Sequence, residues 1–121
     1  MTLVLVATVA VLYGAGAYLM LQRNLIRIVI GLAMIAHGGN LLLLLAGGPP
    51  GGPPLVGLET SAMSDPLPQA MALTAIVITF GITAFLLAMA YRSWVLHGDD
   101  IVQHDLDDRR IARGTFPEDR P

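Results

Sequence analysis

Residues 26–46 read IRIVIGLAMIAHGGNLLLLLA, and after Arg27 no charged side chain occurs until Glu59. A helix of about 20 mainly apolar residues crosses the roughly 30 Å hydrocarbon layer of a bilayer. This run is long enough, and it lacks the polar face that a helix on a soluble protein keeps toward water. Beyond Arg27 at its start, only His37 and Asn40 interrupt it with strongly polar groups. The stretch reads as a membrane-spanning helix with an imidazole and an amide at mid-depth.

Two further uncharged runs flank it, from Leu3 to about Leu21 and from Pro66 to Tyr91. The chain has 121 residues, 55% of them apolar, with a mean hydropathy of +0.67 and only 13% charged. Every charge falls at Arg23, Arg27, Glu59, Asp65 or from Arg92 onward. These features predict an all-α membrane protein of three transmembrane helices, over about 3–21, 26–46 and 66–92. The first run is too long for a signal-peptide core and no positive residue precedes it, so a retained helix is expected. The doubled block Gly47-Gly48-Pro49-Pro50-Gly51-Gly52-Pro53-Pro54 can form neither helix nor central strand, and it predicts an exposed loop over 47–65. Asp65 as N-cap and Pro66 in the first helical position mark the start of the third helix. Tyr91, Arg92 and Trp94 suit its interfacial end. Residues 93–121 form a polar, acidic tail with a basic knot at Arg109, Arg110 and Arg113, too poor in apolar residues to make a core.

Orientation follows from the arginines. Arg23 and Arg27 sit between helices one and two, and Arg92 ends helix three. Three crossings put these on one side, while the N-terminus and the GGPP loop carry no Lys or Arg. The positive-inside bias places the first loop and the tail in the cytoplasm and the N-terminus outside.

His37 and Asn40 share a helix face with Ile30, Ala33 and Leu44. Such groups at mid-bilayer need a partner or water. They therefore line a hydrated path, or form an interhelical hydrogen bond of the kind worth about 0.6 kcal/mol on average in one membrane protein. On helix three, one face carries Ala72, Ala75, Thr79, Thr83 and Ala90, and the opposite one Ala70, Thr74, Gly81, Ala84 and Ala88. Helix one carries a small-residue stripe of Ala7, Ala10, Gly14 and Ala17. Small residues allow close helix approach in lipid, which makes Ala10, Gly14, Gly81 and Ala84 candidate packing positions. Three helices alone cannot use all these surfaces, so protein partners in the membrane are expected. His37, Asn40, Thr79 and Thr83 are the candidates to face an ion path.

Several functions are excluded. Without Cys or Lys and with a net charge of −2, nothing supports disulfides, sulfur metal sites or nucleic-acid binding. No phosphate loop or nucleophile–base pair occurs. His37, His97 and His104 are split by a membrane boundary and make no metal set. Neither catalytic residues nor cofactors are expected. No Asp or Glu lies within a spanning run, so the chain alone cannot build the buried-carboxylate relay of a proton pump or a small exporter.

The run Arg23-Asn24-Leu25-Ile26-Arg27, continuing through Gly31-Leu32 and His37 to Asn40-Leu41-Leu42-Leu43, resembles the C subunit of Mrp-type cation/proton antiporters. So does Asp65-Pro66-Leu67-Pro68-Gln69-Ala70 with Leu73-Thr74-Ala75-Ile76-Val77-Ile78, Gly81 and Ala90-Tyr91-Arg92. The likeness covers roughly Met1 to Arg92. It implies membership of a hetero-oligomer of different membrane subunits that expels Na+, or another monovalent cation, against entering protons across a bacterial cell membrane. That family is similar in turn to the K subunit of complex I, whose helices two and three each carry a buried glutamate. Matched on the shared residues, those glutamates fall at Ala33 and near Thr79, so both carboxylates are missing here. Two alternatives stay open: a membrane-arm subunit of a complex I-like oxidoreductase or hydrogenase, and a purely structural assembly subunit.

Overall fold

The computed structural model describes residues 1–57, 59, 61, 63–102, 110–111 and 113–114. Leu58 in the loop, and residues 103–109, 112 and 115–121 of the expected tail, His104 and Arg109 among them, lie outside the described residues. Three helices make up the fold: α1 (Thr2–Met20), α2 (Leu25–Ala46) and α3 (Pro66–His97). All three are long and apolar enough to span a bilayer, and two isolated β-bridges, Asn24 with Ile101 and Gly52 with Met63, join segments outside them.

Helix α2 is the middle of the layer. It packs against α1 on one side and α3 on the other, while α1 and α3 nowhere bring their backbones within 8 Å of each other. The α1–α2 crossing is backbone on backbone. A Cβ on Gly16 would stand 2.7 Å from Ile35 Cγ1 and 2.8 Å from the Gly31 carbonyl oxygen. One turn away, the Tyr13 ring lies on Gly38, where a Cβ would be 2.9 Å from Cε2. In lipid, with no hydrophobic drive between helices, this close van der Waals fit holds the pair together. The inward stripe of α1 is Leu5, Val9, Leu12, Gly16 and Leu19, whereas Ala7, Ala10, Gly14 and Ala17 are exposed.

Helix α3 begins as the sequence predicts: the Asp65 carboxylate accepts from the Leu67 N–H at 3.0 Å, with Pro66 behind it. It turns Pro68, Ala72, Ala75, Thr79, Thr83, Leu86 and Ala90 toward α2, with Ala72 and Ala90 buried. The helix runs past Arg92 to His97, so the first residues of the expected tail are helical. Gly98 ends it in the left-handed region (φ 77°), its N–H donating to the Trp94 carbonyl at 2.8 Å. At about 1.5 Å per residue, 32 residues make roughly 48 Å, which exceeds the hydrocarbon core and projects the last turns into or beyond the headgroups.

Beyond Gly98 the chain turns back. The Leu25 N–H donates to the Asp100 carbonyl and the Val102 N–H to the Arg23 carbonyl, both at 2.7 Å. The start of the tail is thus clipped to the α1–α2 connection. At the opposite end the 47–65 loop closes on itself through Gly52 and Met63, with the Ser64 N–H on the Gly52 carbonyl at 3.0 Å.

Candidate functional site at the membrane midplane

The four candidate path residues fall in two places. At about 100° per residue, taking Gly31 as the centre of the α1-facing side, Asn40 lies about 180° round and His37 about 240°. Asn40 therefore faces α3 and is 8% exposed, whereas His37 is exposed on the uncovered side of α2. Gly47 packs on Pro68, where a Cβ would be 3.0 Å from its Cγ. Counting inward from that antiparallel contact, Asn40 is level with about Ala75, Thr79 lies about one turn further in and Thr83 about two. Asn40, Thr79 and Thr83 thus share the α2–α3 seam.

That seam is polar but incompletely paired. Among the described residues the Asn40 Nδ2 is buried without an acceptor, a cost of about 1–3 kcal/mol for an amide donor. Thr79 donates to the Ala75 carbonyl of its own helix at 2.8 Å, as Thr74 does to Ala70 at 3.0 Å. A hydroxyl so engaged still has acceptor capacity. An amide donor and a hydroxyl acceptor about a turn apart can be joined by a water, and such groups can orient water without themselves ionising. No carboxylate is present in any of the three helices.

One further polar group inside the spanning region, Tyr13, was not singled out in the sequence. Tyr13 places its hydroxyl by Gly39, 3.4 Å from where a Cβ would stand. The signal for it is a tyrosine inside a spanning run, away from the ends where membrane tyrosines concentrate. The candidate packing residues Ala10, Gly14, Gly81 and Ala84 are all exposed, and neither Gly14 nor Gly81 has an atom within 4 Å of its would-be Cβ. At the loop end, Met1, Thr2 and Leu5 of α1, Leu41, Leu44 and Leu45 of α2, and the start of α3 enclose a cleft of about 620 Å³ with Ser64, Asp65 and Gln69 in its wall.

A three-helix layer with both outer faces bare and polar groups at mid-depth is a small membrane subunit built to sit among others. Residues 4–107 match the model of the NADH-ubiquinone/plastoquinone oxidoreductase chain 4L family, and the chain belongs to that family. It is 50% identical to the C subunit of the Na(+)/H(+) antiporter of Alkalihalophilus pseudofirmus over 91% of this chain and 96% of that one. To the corresponding C subunit of the Na(+)/H(+) antiporter of Bacillus subtilis it is 41% identical, over 85% and 93%. The fold matches a chain of the Mrp complex from Dietzia sp. DQ12-45-1b with a TM-score of 0.73 at 37% identity, covering 98% of this chain and 87% of that one. It also matches a chain of the membrane-bound sulfane sulfur reductase, an archaeal respiratory membrane complex, with a TM-score of 0.68 at 33% identity over 86% and 94%.

Proposed function

We propose that this chain is the C subunit of a multisubunit antiporter in a bacterial cell membrane, exchanging a monovalent cation such as Na+ for protons. The observation that carries this reading is the 50% identity to an antiporter C subunit along nearly the full length of both chains. The fold supports it, since α2 alone is flanked on two sides and the remaining helix surface is free for neighbours. The subunit acts as a transporter part and not as an enzyme. With no acid in its helices it does not load and unload protons through its own carboxylates. Its contribution is to brace the path and to line it, with His37 on the open side of α2 and Asn40, Thr79 and Thr83 along the α2–α3 seam, while larger subunits supply the acid–base groups.

The test is gentle purification of the chain from its native membrane with mass spectrometry of its companions, followed by exchange assays on a His37→Ala complex. Large antiporter-type membrane subunits should come with it, and the variant should assemble while exchanging poorly. Unchanged exchange in an assembled variant would retire the pathway role of His37. The match to a respiratory membrane complex favours a second reading, a membrane-arm subunit of an oxidoreductase. Flavin or iron–sulfur proteins among the companions would establish that reading instead.

A further inference from the structure

One long side of α2 is left uncovered between α1 and α3. Ile26, Ile30 and Leu44 are 46%, 46% and 43% exposed there, and His37 is exposed among them. Ile30, His37 and Leu44 recur every seven residues, with Ile26 one turn before Ile30 and Leu41 one turn after His37. That spacing draws a seam along one helix line, the pattern on which a second helix packs at a shallow angle. At its loop end the seam opens into the 620 Å³ cleft through Leu41, Leu44 and Leu45.

Isoleucine and leucine can face lipid without cost, but an imidazole at mid-bilayer cannot. Acyl chains offer it no partner, and this chain has no Asp or Glu in its helices to turn toward it. Asn40 is committed to the α3 side and buried. The cover of this seam must therefore be apolar along its length and polar at one level. A carboxylate is the group that complements an imidazole most strongly, by a charge-assisted hydrogen bond.

We propose that the Ile30–His37–Leu44 side of α2 docks a transmembrane helix of a partner subunit that carries an Asp or Glu opposite His37. The proposal rests on the subunit reading above and specifies the surface and chemistry of one contact. His37 then holds a neighbour's carboxylate in place, which gives a chain without acids in its own helices a direct hold on an acid–base group.

The chain has no cysteine, so Ile30→Cys, His37→Cys and Leu44→Cys each give this subunit a single anchor for a benzophenone maleimide in the purified, intact complex. All three probes should photocrosslink to one helix of one partner, at sites stepping along it by about seven residues. An Asp or Glu should lie within a turn of the adduct from position 37. Replacing that acid by its amide, or making His37→Leu, should each lower exchange about tenfold, the scale of one hydrogen bond to a charged group. The double variant should be no worse than either single one. Adducts on lipid alone, on different subunits or on a helix without an acid would overturn the proposal, as would additive losses in the double variant. A chain recovered without companions would overturn the subunit reading itself, whereas lipid-only adducts in an intact complex would overturn the docking alone.

Discussion

A Cβ built on Gly31 would stand 2.6 Å from the Gly16 carbonyl oxygen and 2.9 Å from the Met20 backbone nitrogen. Both obstacles are backbone, so neither can swing away as a flexible side-chain end would. Gly31→Leu should therefore force α1 off α2, costing about 3 kcal/mol or more by the usual scale of overpacking. The melting temperature of the detergent-solubilised protein should fall accordingly. A Cβ at Gly14 or Gly81 meets nothing within 4 Å among the described residues, and both positions are exposed, so Gly14→Leu and Gly81→Leu should leave the isolated chain's melting unchanged. Within a complex they separate two roles: loss of companion subunits from Gly81→Leu would mean that α3's outer face is a packing surface. A normal complex would mean that this face borders lipid. Side-chain chemistry at mid-depth was legible in part. His37 and Asn40 stood out as polar groups in an apolar run, and their 60° separation follows from their spacing alone. Which of them is buried depends on where α1 and α3 settle around α2, and contacts such as Gly16 on Gly31 and Gly47 on Pro68, which set those positions, join segments far apart in the chain.

Among the elements, the three spans and the start of α3 could be read from charge-free length and from Asp65-Pro66, because the bilayer and the N-cap each impose a local rule. The packed face of α1 could not. In a soluble helix the apolar stripe is the buried one, but lipid is as apolar as a protein interior. The exposed Ala7–Ala10–Gly14–Ala17 stripe and the inward Leu5–Val9–Leu12–Gly16–Leu19 stripe, of which Val9 and Gly16 are buried, are equally acceptable to the membrane. The clip after α3 was equally hidden, since two backbone hydrogen bonds between distant segments leave no residue pattern. Its role is nonetheless specific. Asn24 is the N-cap of α2 but makes no side-chain cap bond. Its amide instead donates to the Asp100 carboxylate at 3.4 Å, and the Leu25 N–H, the first of α2, is satisfied by the Asp100 carbonyl. The tail thus caps α2 from across the fold and sets the Asp100 charge near a positive helix end. Val102→Pro removes the N–H that donates to the Arg23 carbonyl. It should cost about 1 kcal/mol and speed hydrogen exchange at Leu25, with α2's central amides unchanged. Equal protection of Leu25 in both forms would show that the cap does not depend on the clip.

At the scale of the whole molecule, the clip and the loop define two ends. Asn24 pairs with Ile101 at one, which carries Arg23 and Arg27, with Arg92 at the same end of α3. Met1 and the Gly47–Pro50 turn border the same cleft at the other, where the described residues carry no Arg. A difference of this kind fixes topology because Lys and Arg near helix ends resist translocation, whereas acids contribute little. Glu59 and Asp65 in the loop, and Asp99 and Asp100 beside the clip, therefore do not weaken the expectation that the clipped end is cytoplasmic. The absence of native cysteine makes the orientation directly measurable. Val56 projects fully from the loop and Ile101 is 49% exposed at the clip, so each can carry a lone thiol without disturbing a packed helix. On intact cells, a membrane-impermeant maleimide should label Val56→Cys and spare Ile101→Cys until the membrane is opened. The reverse pattern would invert the protein and place the Asn40–Thr79 seam's Thr83 end toward the outside. Labelling of both sites on sealed cells would mean that the chain inserts in two orientations, which its strongly one-sided arginines argue against.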